Sequence, residues 1–157
     1  MDTVGIWSDS DALKNRLERR LGTTYRFWGG NHPADFAPAP SGTVPDLLVV
    51  APDAAGLAGL GVLHPRLALL PGGRLAACRQ VQAASAVSYG LGPQNTLTLS
   101  SITGADVSVA LQREIRTLSG RTVERQEWVL PMDPTLDSAD HLLCLVGAFL
   151  LLDCPPN

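Results

Sequence analysis

Leu47-Leu48-Val49-Val50-Ala51, stopped by Pro52-Asp53, is an uninterrupted apolar run with no polar residue on either alternating face. A strand of that composition belongs in a parallel sheet covered on both sides. Leu67-Ala68-Leu69-Leu70 before Pro71-Gly72-Gly73 repeats the pattern downstream, and Thr3-Val4-Gly5-Ile6-Trp7 before Ser8-Asp9-Ser10-Asp11 repeats it upstream. Leu13, Leu17 and Leu21 recur at helical spacing and Gly22 closes that helix, after which Thr24 to Trp28 alternates as a second strand. Strands separated by helical or irregular connections predict a parallel sheet built by right-handed crossovers.

Between the second and third strands, residues 29–45 hold Pro33, Pro38, Pro40 and Pro45 among small residues, which resists both helix and ladder and reads as a surface loop. Asp53 to Gly61 reads as a short helix or irregular turn, and Arg74 to Gln82 as a helical turn or two. The character changes after Ala86-Val87-Ser88-Tyr89. Thr96 to Ser100, Val107 to Leu111, Ile115 to Leu118 and Val123 to Leu130 alternate with period two around turns at Thr103-Gly104 and Ser119-Gly120, the pattern of meander hairpins. Asp137-Ser138 then caps a last helix, Ala139 to Asp153, apolar on nearly every side and therefore buried. The expected architecture is one α/β domain over residues 1–157: three layers, a mostly parallel central sheet with helices on both faces, and C-terminal antiparallel β-hairpins.

Composition narrows the function. The chain of 157 residues is 45% hydrophobic and 17% charged, with net charge -3 and no basic cluster longer than Arg19-Arg20, so nucleic acid is not an expected partner. The longest apolar run, Leu142 to Leu152, is half of what a membrane span needs, and the N-terminus lacks the pattern of a signal peptide; no membrane partner and a cytoplasmic location are expected. Cys78, Cys144 and Cys154 form an odd set without metal-ligand spacing, arguing against disulfides and zinc. Lys14 is the single lysine.

In such a sheet ligands sit beyond the carboxyl ends of the strands, where helix N-termini and free amides converge. The ligand-binding candidates at that edge are Ser8, Asp9, Ser10, Asp11, Asn31, Asp53, Gly72 and Gly73. Asp9, Asp11 and Asp53 suit magnesium or acid/base work; the plainer reading is that Ser8 or Asp9 caps the first helix while the others complement its dipole. Gly72-Gly73 suits a phosphate, or simply a turn, since neither GxxxxGK[ST] nor GxGxxG occurs. The three aspartates also bring to mind a receiver-like signalling domain, but Asp53 lies past the strand end and no lysine follows the later strand. No GxSxG context supports His32, His64 or His141 in a triad, and Trp7, Trp28 and Trp128 read as core or rim. Gln112-Arg113-Glu114 interrupts an otherwise apolar strand and faces either a partner or pocket, or solvent as an edge with Arg113 and Glu114 on opposite faces. No catalytic residue, metal or cofactor is assigned.

Ala86-Val87-Ser88-Tyr89-Gly90-Leu91, the hairpins of Thr96 to Val129, the Leu130-Pro131 link and the helix from Ser138 to Leu152 follow one another in an order that resembles the later part of the central domain of Mur ligases. Those ATP-dependent enzymes add amino acids to peptidoglycan precursors, and a "TYG" strand, hairpins, a Leu-Pro segment and an apolar helix succeed each other there. The resemblance spans Leu69 to Asp153 and implies a shared scaffold. It does not carry the chemistry. The family's P-loop ends in Lys-Thr or Lys-Ser after the first strand, where this chain has Ser8-Asp9-Ser10-Asp11-Ala12-Leu13, and its Asp-His-Leu motif is replaced by Asp53-Ala54-Ala55. The expected function is a non-catalytic binding or scaffold domain, a degenerate Mur-ligase-like domain without the ATP-binding loop. The rivals are a small-ligand or magnesium-dependent nucleotide- or phosphate-binding enzyme at the strand ends, and a protein that associates with itself or a partner through the hairpin edge.

Overall fold

The apolar runs become strands. In the computed structural model, which describes residues 2–30, 45–55, 62–132 and 138–156, the chain divides into two compact units: Met1–Leu70 with Arg74–Ala86, and Pro71–Gly73 with Val87–Asn157. The chain is an α/β protein with mixed sheet structure and a separate two-stranded hairpin, as its alternation of patterns predicts.

The first unit contains β1 (Thr3–Trp7), α1 (Ala12–Leu21), β2 (Arg26–Gly30), β3 (Leu47–Val50) and most of β4 (Leu67–Pro71), followed by a kinked 3-10 segment, Gly72–Cys78. Its strands lie in the order β2-β1-β3-β4 and every pairing is parallel: Trp7 stands beside Gly30 on one side and Val50 on the other, and Leu48 beside Ala68. All four residues of β3 are at most 1% exposed, as a strand covered on both faces must be. On one face Trp7, Leu48, Val50, Ala68 and Leu70 pack with Ala54, Cys78 and Val81 from the connections. On the other, α1 buries Leu13 and Leu17 and comes close to β2: a Cβ at Gly29 would sit 2.7 Å from the Ile6 carbonyl oxygen and 3.4 Å from Lys14 Cδ. Cover thus exists on both faces; on the Trp7 face it comes from Ala54, Val81 and, in a 3-10 segment where a helical turn or two is expected, Cys78. Each large side chain removed from water in this way contributes about 1.5–3 kcal/mol.

The second unit takes the end of β5 (Ser85–Tyr89), then β6 (Leu97–Thr103), β7 (Asp106–Leu111), β8 (Ile115–Arg116), β9 (Thr122–Val123), β10 (Gln126–Pro131) and α2 (Ala139–Leu151). Tyr89 of β5 pairs in parallel with Leu97, whereas β6-β7 and β7-β10 are antiparallel, with a bulge between Leu99 and Ser101. β8 and β9 form a hairpin of their own. β7 shows why alternation was readable: Val107, Val109 and Leu111 are buried, while Asp106 is exposed and Ser108 and Ala110 are half-buried. Pro131 ends β10 without breaking the ladder, because Met132 N–H bonds the Ala105 carbonyl at 2.8 Å and that parity turns residue 131 outward, where its missing N–H costs no bond.

Every residue of α2 from Leu142 to Leu151 is buried. Ser138 Oγ accepts the His141 backbone N–H at its start. The helix ends two residues before the expected Asp153, which adopts a left-handed φ of 59° while Cys154 N–H closes on the Phe149 carbonyl at 2.9 Å. Among the described residues no helix is long and apolar enough to cross a membrane.

Candidate functional site

β1 and β3 are adjacent, yet the chain leaves β1 toward β2 on one side and β3 toward β4 on the other. The crevice beyond their carboxyl ends is the topological switch point, the place where open α/β sheets bind ligands. Ser8 N–H donates to the Gly30 carbonyl at 3.0 Å and Ala51 N–H to the Trp7 carbonyl at 2.9 Å, so the Ser8–Asp11 turn and the Pro52-Asp53 turn leave from neighbouring points.

The Ser8–Asp11 turn uses its hydroxyls on itself. Ser8, 6% exposed, accepts the Ser10 N–H on Oγ at 3.3 Å, and Ser10 Oγ accepts the Ala12 N–H at 3.4 Å. Asp11, not Ser8 or Asp9, holds the N-cap position of α1, with φ -84° and ψ 2° and no side-chain cap bond. Ser8 and Asp9 cannot cap the helix because it starts at Ala12, and Ser8 Oγ is spent on the Ser10 N–H. Asp9, Asp11 and Asp53 are exposed. Lys14, one turn into α1, is paired with Glu18 at 2.7 Å.

Across the crevice, the carbonyls after β3 are occupied. Ala51 O accepts Ala54 N–H at 3.2 Å, Pro52 O accepts the Arg74 guanidinium at 2.9 Å, and Ala55 O accepts the indole N–H of Trp7 at 2.8 Å. Trp7 is fully buried, and its ring occupies the face of the sheet on which that turn closes. Trp28, expected in core or rim, is half-buried on β2; Asn31, with the rest of residues 31–44, lies outside the described residues. Burial pushes the Cys78 thiol up, and the nearby Arg74 charge opposes this only in part. Among the described residues no three His, Cys, Asp or Glu side chains are grouped to hold a metal ion.

Gly72 and Gly73 belong to the second unit and do different things there. A Cβ on Gly72 would fall 1.7 Å from Asn95 Oδ1, so Gly72 is small because Asn95 occupies its side-chain space; Gly73 has nothing within 4 Å. Asn95 escaped the sequence reading. It is 2% exposed, donates Nδ2 to the Gly92 carbonyl at 3.0 Å, and leaves its buried Oδ1 without a hydrogen bond. Gln112 Nε2 grips the same loop through the carbonyls of Asn95 at 2.6 Å and Pro93 at 2.9 Å, and Arg113 through that of Gln94 at 2.8 Å. The polar interruption after β7 clamps the turn between β5 and β6 through Gln112 and Arg113, while Arg113 and Glu114 are exposed, as expected of a solvated edge.

No protein-family model and no curated protein matches the chain. One serine–histidine pair remains to be placed among the described residues. Ser138 Oγ lies 2.7 Å from His141 Nδ1, but the two are three residues apart and form the cap of α2. His64 is exposed, and His32 lies outside the described residues. An open hollow of about 300 Å³ lies over the start of β10, lined by Ala110, Leu111, Gln112, Arg125, Gln126 and Glu127, with both charge signs and no nucleophile.

Proposed function

We propose that this chain is a non-catalytic binding or scaffold domain, related in scaffold to the Mur ligase central domain and lacking its ATP-binding loop. One observation carries the reading: the turn at the β1/β3 switch point carries two exposed acidic residues, Asp9 and Asp11, and its Ser8 and Ser10 hydroxyls take up the Ser10 and Ala12 amides. A phosphate cradle needs the reverse, free amides and a cation aimed at the ligand. Lys14, paired with Glu18, is engaged elsewhere, and the buried Trp7 indole with its bond to Ala55 gives the turn after β3 a structural role.

Binding to the native state alone raises stability, by about 2.7 kcal/mol at a ligand concentration of 100 Kd. Thermal shift and calorimetry with ATP and magnesium are the direct test. The expected outcome is an unchanged Tm and no nucleotide hydrolysis. A Tm rise that disappears in Asp9→Ala, or hydrolysis that depends on the Ser8–Asp11 turn, defeats the proposal in favour of a nucleotide enzyme.

A further inference from the structure

β10 is the outermost strand of the second unit, and among the described residues it pairs with β7 alone. The hydrogen-bond parity of that pair is set by Met132 N–H on the Ala105 carbonyl at 2.8 Å; Gln112 N–H on the Thr96 carbonyl at 2.8 Å gives the same parity from the other side of β7. Gln126, Trp128 and Leu130 thus bond inward, and the N–H and C=O of Glu127 and Val129 point away from the sheet. Val129 is 68% exposed and Glu127 is exposed beside it.

We infer that this edge pairs with the same edge of a second copy of the chain, antiparallel, about a two-fold axis through Trp128. In that register each Glu127 faces the second copy's Val129, so the outward groups on both strands exchange both of their bonds. The neighbouring symmetric registers are worse. One sets Glu127 directly against Glu127, and like charges opposite each other oppose pairing. The other sets Glu127 against Pro131, which has no N–H to give. Registers offset by a single residue aim outward groups at inward ones and make no ladder at all.

The self-complementary pattern selects a second copy as the occupant. A two-fold pairing uses both β10 edges and stops at two through this surface. One six-residue strand falls well short of the roughly 1,200 Å² of a stable interface, so the pair is weak, with Kd on the order of 10⁻⁴ M. Glu127 and Pro131 then serve as guards that leave this register and penalise the others. The inference is independent of the proposed loss of nucleotide binding.

Sedimentation velocity on the full chain, from about 10 µM to about 1 mM, tests it. The weight-average mass is expected to rise from 16.6 kDa toward twice that value. Val129→Pro removes an outward N–H and no bond to β7, in a strand that already carries Pro131 at the equivalent parity, and is expected to weaken pairing at least tenfold with an unchanged circular dichroism spectrum. In wild-type protein the Glu127 and Val129 amides gain hydrogen-exchange protection as concentration rises, whereas Trp128 and Leu130 are protected throughout. A mass fixed at 16.6 kDa, a folded Val129→Pro that associates like wild type, or concentration-dependent protection at amides elsewhere would overturn the inference.

Discussion

β3 and β7 solve the same problem with opposite surfaces. β3 is Leu47-Leu48-Val49-Val50, buried residue by residue on two covered faces; β7 is Asp106 to Leu111, alternately buried and open. A strand like β3 has no side chain left for chemistry, which displaces any function to the turns at its carboxyl end. A sheet like β6-β7-β10 keeps a polar face and an exposed edge, so its opportunities for recognition lie along the strand. The first unit therefore leaves its strand-borne polar groups to the strand ends, the Ser8–Asp11 turn at one and the Thr3–Asp46–Arg66 contacts at the other, whereas the second distributes them over a face, a clamp and an edge.

The contrast can be broken most sharply at Trp7. Trp7→Ala is expected to cost about 3–5 kcal/mol in urea denaturation, since it empties a filled core position. Trp7→Phe keeps most of the volume, loses the bond to Ala55 and is expected to cost about 1–2 kcal/mol. If the two variants are equally destabilised, the hydrogen bond and not the packing holds the turn after β3.

In the second unit the equivalent weak point is polar. Gly72→Ala is expected to cost about 2–3 kcal/mol because the new methyl overlaps Asn95 Oδ1. Asn95→Ala in the same chain should recover at least about 1 kcal/mol of that loss, a coupling measurable by a double-mutant cycle. Additive effects would show that Gly72 is required for the turn itself.

Smaller effects separate the two helix starts. Ser138→Ala is expected to destabilise by about 1 kcal/mol, and Asp11→Ala by less than about 0.5 kcal/mol, because only Ser138 makes a side-chain cap bond. Equal losses would mean that the Asp11 charge at the helix dipole matters more than its geometry. The smallest effect concerns pH. The Cys78 thiol stays neutral in the folded state above its ordinary value of 9.0, where the unfolded chain ionises, so the stability it contributes is complete below that pH and declines above it. Cys78→Ala should flatten that decline in denaturation series from pH 8 to 10.

Much of the fold was legible. The apolar runs, the alternation from Thr96 to Leu111 and the all-apolar last helix appear as elements, because burial on one face or two leaves a direct periodicity in the sequence, whereas the expected strand Val123 to Leu130 divides into β9, paired with β8, and β10, paired with β7. The boundaries of β2 and α2 shifted by two residues, since pairing with Gly30 and the left-handed Asp153 are decided by neighbours. Of the candidate site, the Ser8–Asp11 turn and the Pro52-Asp53 turn leave from neighbouring strand ends, as a parallel sheet requires, but among the described residues no three His, Cys, Asp or Glu side chains are grouped to hold a metal ion. The cap at Asp11 and the clamp by Gln112 were not legible, because hydroxyls and amides choose among carbonyls that only folding brings near.

By itself the sequence determined the α/β class, the two covered faces of β3 and the acidic turn Ser8–Asp11 after the first strand, all properties of residue type and order. Tertiary structure alone decided that β1 lies between β2 and β3, that Asn95 occupies the side-chain space of Gly72, and which backbone groups of β10 point outward. Strand order and hydrogen-bond parity depend on long-range pairing, and such pairing leaves no periodic signature in the chain that makes it.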